Sequence, residues 1–188
     1  MHNSIKLLIS MGIVACTVSC AATVVAGAAG GTAATVSDSR GGGNVFKDQS
    51  LEHKVNNVLS AQVPNGSFTV ASYAKHILLA GQVPSSSDKA KAETAAYNTA
   101  GVKGVWNYLT VGANEGATDI SRDAYLTSAA KARLIAQKDV NTNNIKVVTS
   151  NGVVYLLGHK AGKKGEIKAA ISGIRGIDGV KNVVNLIN

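Results

Sequence analysis

The chain has 188 residues, with 45% hydrophobic, 16% charged and 4% aromatic side chains, enough apolar surface for one or two small domains and too much for a wholly disordered chain. Twenty glycines against two prolines exclude collagen-like and proline-rich architectures. Lys and Arg outnumber Asp and Glu by 19 to 11, a formal charge of +8, which favours anionic partners (nucleic acid, an anionic membrane surface, an acidic protein) without choosing among them.

Residues 1–6 carry one base, Lys6, and no acid, and a mostly apolar run from Leu7 to Ala15 follows. These are the n-region and h-region of a secretory signal. The run is shorter than the roughly 20 apolar residues that a membrane span needs. Both cysteines, Cys16 and Cys20, lie at its end and none follows, so the folded part has no internal disulfide. A cysteine after an apolar run and a small residue has the form of a bacterial lipobox. Ile13-Val14-Ala15-Cys16 is the better match in sequence, and Thr17-Val18-Ser19-Cys20 gives the more usual signal length. An ordinary cleaved signal with incidental cysteines is the third alternative. Acyl chains on a new N-terminal cysteine would hold the protein on a bilayer, at about 0.8 kcal/mol per buried CH₂. The residue after Cys20 is Ala21 rather than Asp, which by the bacterial sorting convention points to the outer membrane. The segment that follows is rich in Ala, Gly, Ser and Thr, includes Gly41-Gly42-Gly43, and reads as a flexible tether.

An internal repeat organises the rest. Gly101-Val102-Lys103-Gly104-Val105-Trp106-Asn107 matches Gly176-Ile177-Asp178-Gly179-Val180-Lys181-Asn182, and Leu59-Ser60-Ala61-Gln62 matches Leu134-Ile135-Ala136-Gln137, both at an offset of 75; Leu79-Ala80-Gly81 matches Leu156-Leu157-Gly158 at 77. Each copy reads α-β-β-α-β. In the first, Asp48 or Ser50 caps a helix with Leu51, Val55, Val58 and Leu59 at helical spacing. Phe68–Tyr73 and His76–Val83 form a hairpin, and Pro84 ends its second strand. Ser85 with Asp88 resembles a capping box for a helix to about Ala100, and Val105–Val111 is the last strand. The second copy repeats this order with Asn151-Gly152 as the hairpin turn, a strong two-residue signal. The expected fold class is α+β: two tandem units, each with two helices packed on a three-stranded sheet. One such unit is marginal in size, which predicts that the two pack together. The expected organisation is a signal over residues 1–19, the lipidated cysteine and tether over 20–47, and domains over 48–114 and 115–188.

The doubled order of short glycine motifs, with Gly81 and Gly158 ending the second strands and Gly101–Val105 and Gly176–Val180 preceding the last, resembles the BON domain. Two such copies behind a lipoprotein signal resemble the DolP-type outer-membrane lipoproteins, with the periplasmic OsmY-type proteins as relatives lacking the lipid. The resemblance spans Cys20 to the C-terminus. In that family the spacing from the lipidated cysteine to the Leu-Glu opening the first helix is similar to that from Cys20 to Leu51-Glu52, which favours Cys20 over Cys16. The resemblance implies a non-enzymatic protein, anchored in the outer membrane and facing the periplasm. It would bind anionic phospholipid and support membrane integrity. It places the lipid contacts on the first helix of the second copy, around an aromatic that corresponds to Tyr125, a tyrosine where the family has tryptophan.

The duplication also serves as an internal control. With about 100° per helical residue, the first helix turns Ser50, Lys54 and Asn57 away from its apolar stripe. The second copy has Tyr125, Ala129 and Ala132 in those places, with Ala136 below, opposite a stripe of Leu126, Ala130 and Leu134. Arg133 replaces Val58 at the stripe's edge, Arg122 lies one turn before Tyr125, and Lys131 is nearby. An apolar strip rimmed by Arg122, Lys131 and Arg133 suits an interfacial helix on an anionic membrane; packing of this face on the other domain is the competing reading. Residues 115–188 hold 11 bases against 6 acids, and residues 20–114 hold 7 against 5, so the basic excess lies mainly in the second copy, Lys160, Lys163, Lys164 and Lys168 included. Trp106 and Tyr108 share the outward face of the first copy's last strand, placed either for domain packing or for a partner.

No catalytic constellation is visible. His53, His76 and His159 are isolated, no cysteine or histidine cluster suits a metal, and Gly41–Gly43 lacks the following Lys-Ser/Thr of a phosphate loop. No cofactor is expected, and no enzyme. Nucleic acid is the competing use of positive charge, but a secretion signal and the lack of an aromatic-plus-basic recognition strand argue against it. The partners expected are an anionic phospholipid membrane and, in a second reading as a periplasmic adaptor or structural protein, an outer-membrane protein or peptidoglycan. Intact mass of the membrane-associated protein checks the anchor: Cys16→Ala should retain the acyl mass on a chain beginning at Cys20, and Cys20→Ala should lose it. Loss in the Cys16 variant alone would move the anchor to Cys16.

Overall fold

The computed structural model describes residues 42–113 and 116–188; Cys16, Cys20 and the expected tether as far as residue 41 lie outside the described residues. The first domain runs α1 (Gly42–Gln62), β1 (Ser67–Tyr73), β2 (His76–Val83), α2 (Ser86–Tyr97), β3 (Gly104–Asn107) and β4 (Thr110–Val111). The second runs α3 (Ala117–Ile135), a 3₁₀ turn at Thr142–Asn144, β5 (Ile145–Ser150), β6 (Val153–Gly158), α4 (Lys164–Arg175) and β7 (Asn182–Ile187). In each, the hairpin is antiparallel and the last strand lies parallel to the hairpin's second strand. This is the α+β, α-β-β-α-β order expected of tandem units.

The apolar pattern explains the layers. In β2, Ile77, Leu79 and Val83 pack with Leu51, Val55 and Leu59 of α1 and with Ala92, Ala95 and Ala96 of α2. In β6, Val154 and Leu156 do the same with Ala130 and Leu134 of α3 and with Ile167, Ala170, Ile171 and Ile174 of α4. The alternate residues at the centre of these strands, Leu78 and Ala80 of β2 and Tyr155 and Leu157 of β6, are buried too, the mark of a strand buried on both faces. Leu78 and Ala80 of β2 meet Tyr155 and Leu157 of β6 in a third cluster with Ala71, Tyr73, Trp106, Val148, Val184 and Leu186. The two sheets therefore pack against each other, and the helices lie on the outer sides.

Several polar groups at this seam are paired, while Gln82 Oε1, on the same face of β2 as Leu78 and Ala80, is buried without a hydrogen-bond partner among the described residues. The Tyr73 hydroxyl donates to the Asn144 carbonyl at 2.9 Å, and Thr69 Oγ1 donates to Ser150 Oγ at 3.4 Å. Lys146 of the second domain pairs with Glu52 of the first and donates to the Ser72 carbonyl at 3.4 Å. Tyr108 meets Tyr155 with ring centroids 5.3 Å apart, and Trp106 stacks on His76 at 5.2 Å. Of the two readings of Trp106 and Tyr108, the seam is the one their contacts support.

Three local expectations are corrected. First, α1 begins at Gly42, not at a cap on Asp48 or Ser50. Asp48 is 3% exposed inside the helix and serves the hairpin turn instead, accepting from Ser72 Oγ and from the backbone N–H of Ala74 and Lys75, each at 2.9 Å. Asp123 of α3 does the same in the second domain, accepting from Asn151 N at 2.5 Å and Gly152 N at 2.8 Å. Second, the strand expected over Val105–Val111 is interrupted. Regular pairing lapses at Tyr108 and Leu109 before β4 rejoins β2 at Gln82 and Val83, although Tyr108 N still donates to the Leu79 carbonyl at 2.8 Å, so the first sheet has four strand segments rather than three. Third, α2 ends at Tyr97 rather than near Ala100, and Ser85 caps its start with Asp88 N donating to Ser85 Oγ at 3.1 Å, but the Asp88 carboxylate accepts from Ser85 Oγ at 2.7 Å rather than closing a full capping box.

Gly81 and Gly158 occupy matching places opposite Phe68 and Ile145. A Cβ on Gly81 would lie 2.1 Å from the Ser67 carbonyl oxygen, and one on Gly158 would lie 2.7 Å from that of Asn144.

The two hairpin turns share one shape but not one chemistry. Both central residues are left-handed in each: Ala74 (φ 52°) and Lys75 (φ 66°), then Asn151 (φ 53°) and Gly152 (φ 77°). Asn-Gly suits this turn, whereas Ala and Lys each resist it by roughly 1–2 kcal/mol. Asp48 offsets that strain in the first domain. Asp48→Ala, which strands buried donors, should lower stability by about 2–4 kcal/mol. Ala74→Asn with Lys75→Gly should raise it by roughly 1–2 kcal/mol. Urea unfolding of residues 42–188 measures both.

Candidate functional site

The sheet-to-sheet seam leaves α3 with one covered side. Leu126, Ala130 and Leu134 are buried against the second core, Asp123 is held by the hairpin turn, and Thr127 Oγ1 donates to Thr149 Oγ1 at 2.8 Å. These contacts fix the helix's rotation about its axis. The opposite side carries the residues singled out from the sequence. Tyr125 is 65% exposed, Ala132 is exposed and Ala129 is half-buried. By the helical angle of about 100° per residue, Tyr125, Ala129 and Ala132 fall within about 60° of one another.

The flanking bases are divided between two edges. Arg122 and Arg133 lie about 60–80° from Tyr125 on the Ala129 side, and Lys131 lies about 120° away on the other. All three are exposed. Arg122 is in a loose pair with Asp119, Nη1 to Oδ1 at 3.8 Å; Lys131 and Arg133 form no ion pair among the described residues. The structure thus brings Tyr125, Ala129 and Ala132 into one strip with the two arginines along one border and the lysine along the other. None of these residues belongs to the apolar cluster at the seam. Cys20, the expected lipidation site, lies outside the described residues.

Ile135 belongs to the same exposed surface and was not singled out. It is 71% exposed at the last position of α3, about 60° from Ala132 around the helix. The signal was in the repeat, since its counterpart is Ser60. Ile120, 60% exposed, adds apolar surface on the Lys131 side of the first turn. The equivalent outer face of α1 carries the exposed, polar Ser50, His53, Lys54 and Asn57, with one exposed aromatic, Phe46, a turn before Ser50. A face with an aromatic, small apolar residues and isoleucine between basic borders can enter the boundary of an apolar phase while its bases meet anions at the rim.

Comparisons with known proteins agree with the doubled architecture. The model of the BON domain matches residues 47–113 and 122–188. The chain is similar to the outer membrane lipoprotein DolP of Haemophilus influenzae, at 35% identity over 178 residues, covering 90% of this chain and 91% of that one. It is also similar to a 21 kDa hemolysin of Actinobacillus pleuropneumoniae, at 32% identity over 138 residues, 72% of this chain and 71% of that one.

Proposed function

The chain belongs to the BON-domain family, in the two-domain DolP-type arrangement, and from that premise we propose that it is a lipid-anchored outer-membrane protein, facing the periplasm, that binds anionic phospholipid through α3 and supports the integrity of that membrane. The observation that carries this reading is the exposed strip of Tyr125, Ala129 and Ala132 between basic borders, on a helix that the packing of the two domains leaves uncovered.

The chemistry follows from the strip. A tyrosine suits a membrane interface because its ring is apolar while its hydroxyl stays wet. Each base near a negatively charged surface adds up to about 1 kcal/mol, and the attraction weakens with salt. No helix among the described residues is long and apolar enough to cross a membrane. In this reading acyl chains at Cys20 supply attachment, and α3 selects the lipid composition on which the domains settle.

Vesicle flotation of residues 42–188, the segment that keeps all of α1, tests the reading. Wild type should float with vesicles of phosphatidylcholine containing phosphatidylglycerol and not with phosphatidylcholine alone. Tyr125→Ala should weaken that binding about tenfold, the scale of one buried aromatic, with unchanged urea unfolding; the first-domain counterpart Ser50→Ala should not. Equal flotation of Tyr125→Ala and wild type would remove α3 from the lipid-binding role and favour an adaptor that uses this strip on an envelope protein or peptidoglycan.

A further inference from the structure

A second charged feature lies in the first domain, where the hairpin turn, the start of α1 and the start of β3 come together. Asn44, Lys47, Asp48, Ala74, Lys75 and Lys103 line a cleft of about 310 Å³. Lys103 N–H donates to the Lys75 carbonyl at 2.9 Å, which holds two of the lysine-bearing positions side by side. Lys47, Lys75 and Lys103 are exposed, and none forms an ion pair with a described residue. Among the described lining residues the one carboxylate, Asp48, is engaged by Ser72 Oγ and the N–H groups of Ala74 and Lys75. The cleft is therefore lined by three lysines against one engaged carboxylate among the described residues.

Solvated lysines are common on any surface, so the matching place in the second domain supplies the control. The counterparts of those six residues are Asp119, Arg122, Asp123, Asn151, Gly152 and Asp178. Three bases and one acid in the first domain stand against one base and three acids in the second, and that one base leans on Asp119. Lys75 also occupies a left-handed position (φ 66°) where the second domain has glycine (φ 77°). Lys75 thus places its charge at a turn position whose strain the Asn-Gly of the second domain avoids.

We propose that this cleft binds a phosphate group, making the first domain a second anion site that neither rests on α3 nor shares its residues. Lys47, Lys75 and Lys103 donate charge-assisted hydrogen bonds to the phosphate oxygens. The phosphate is either that of a lipid head group or a free phosphate, and two experimental arms distinguish these sources.

In the first arm the full chain, in non-ionic detergent at low salt, is titrated calorimetrically with inorganic phosphate. Saturable one-site binding is expected. Lys75→Asn, a residue suited to the left-handed turn, should weaken it about tenfold, and Lys47→Gln/Lys75→Asn/Lys103→Gln together should abolish it. Lys168→Gln, an exposed base of α4 outside both sites, should leave it unchanged. In the second arm the full chain is partitioned between vesicles of phosphatidylcholine with and without phosphatidylglycerol. A loss of anionic-vesicle binding in the triple lysine variant, beyond that of Tyr125→Ala, assigns the phosphate to a head group. Phosphate binding without any vesicle effect assigns it to a free ligand. If neither arm distinguishes the triple variant from wild type, the proposal is overturned, whatever Tyr125→Ala does.

Discussion

The packing of the two sheets on each other is the contact on which the rest of the structure depends. In a lone α-β-β-α-β unit the helices cover one face of the sheet and leave the other in water. Here the central strands β2 and β6 are apolar on both faces, so the bare face of each needs a cover. Leu78, Leu157, Tyr73 and Tyr155 are each no more than 4% exposed at the seam, and burying a large apolar side chain contributes about 1.5–3 kcal/mol. Charged and hydroxyl groups carried in with them are paired, as Tyr73 with Asn144 and Lys146 with Glu52, which avoids the penalty of stranding a buried donor or charge; Gln82 Oε1 is left without a partner among the described residues. One consequence concerns function directly. With the sheets spent on each other, the outer faces of the helices remain for contacts elsewhere, and the competing reading in which α3 packs on the first domain loses its surface.

Much of this was legible in the sequence because it is periodic. The repeat, the hairpins and the core stripes of α1 and α3 rest on spacings that a chain cannot easily disguise. The Asn151-Gly152 turn is a local signal and formed as read. The misreadings share a different cause. Asp48 sits ahead of an apolar stripe, where an aspartate ordinarily caps a helix. Its actual partners lie 24 to 27 residues away, a tertiary contact that no local window contains. Trp106 and Tyr108 were on the correct face, but only the second sheet could decide between a partner and the seam. Ile135 was within reach of the copy-to-copy comparison and escaped because it lies at the edge of the strip, next to the buried Leu134.

Duplication makes the divergence between the domains informative. Positions that carry the core have kept their character: Leu51, Val55 and Leu59 of α1 answer to Leu126, Ala130 and Leu134 of α3, and the buried aspartates hold both hairpin turns. Exposed positions have moved in opposite directions. On the first helix of each domain, Ser50, Lys54 and Asn57 of the first answer to Tyr125, Ala129 and Ala132 of the second, while the exposed Phe46 answers to Ser121. At the hairpin turn, the first domain is basic and the second acidic. Net charge alone would mislead, since the second domain holds the larger basic excess yet has the acidic turn. What distinguishes the domains is where charge sits on a shared scaffold, and that distribution is free to drift only because it lies off the core.

Weak surface contacts of this kind become effective through tethering. Twenty-one residues separate Cys20 from Gly42, and such a chain reaches no further than about 75 Å even when fully extended. Acyl chains at Cys20, in the proposed arrangement, confine the domains to a thin layer beside the membrane, where a short linker sets an effective concentration on the order of millimolar. A strip with one tyrosine, two alanines and a few bases would be a poor membrane anchor by itself. Under that confinement a dissociation constant on the order of millimolar suffices for the strip to be occupied about half the time. Occupancy is then sensitive to lipid charge, because each added anionic contact shifts a balance that already lies near its midpoint.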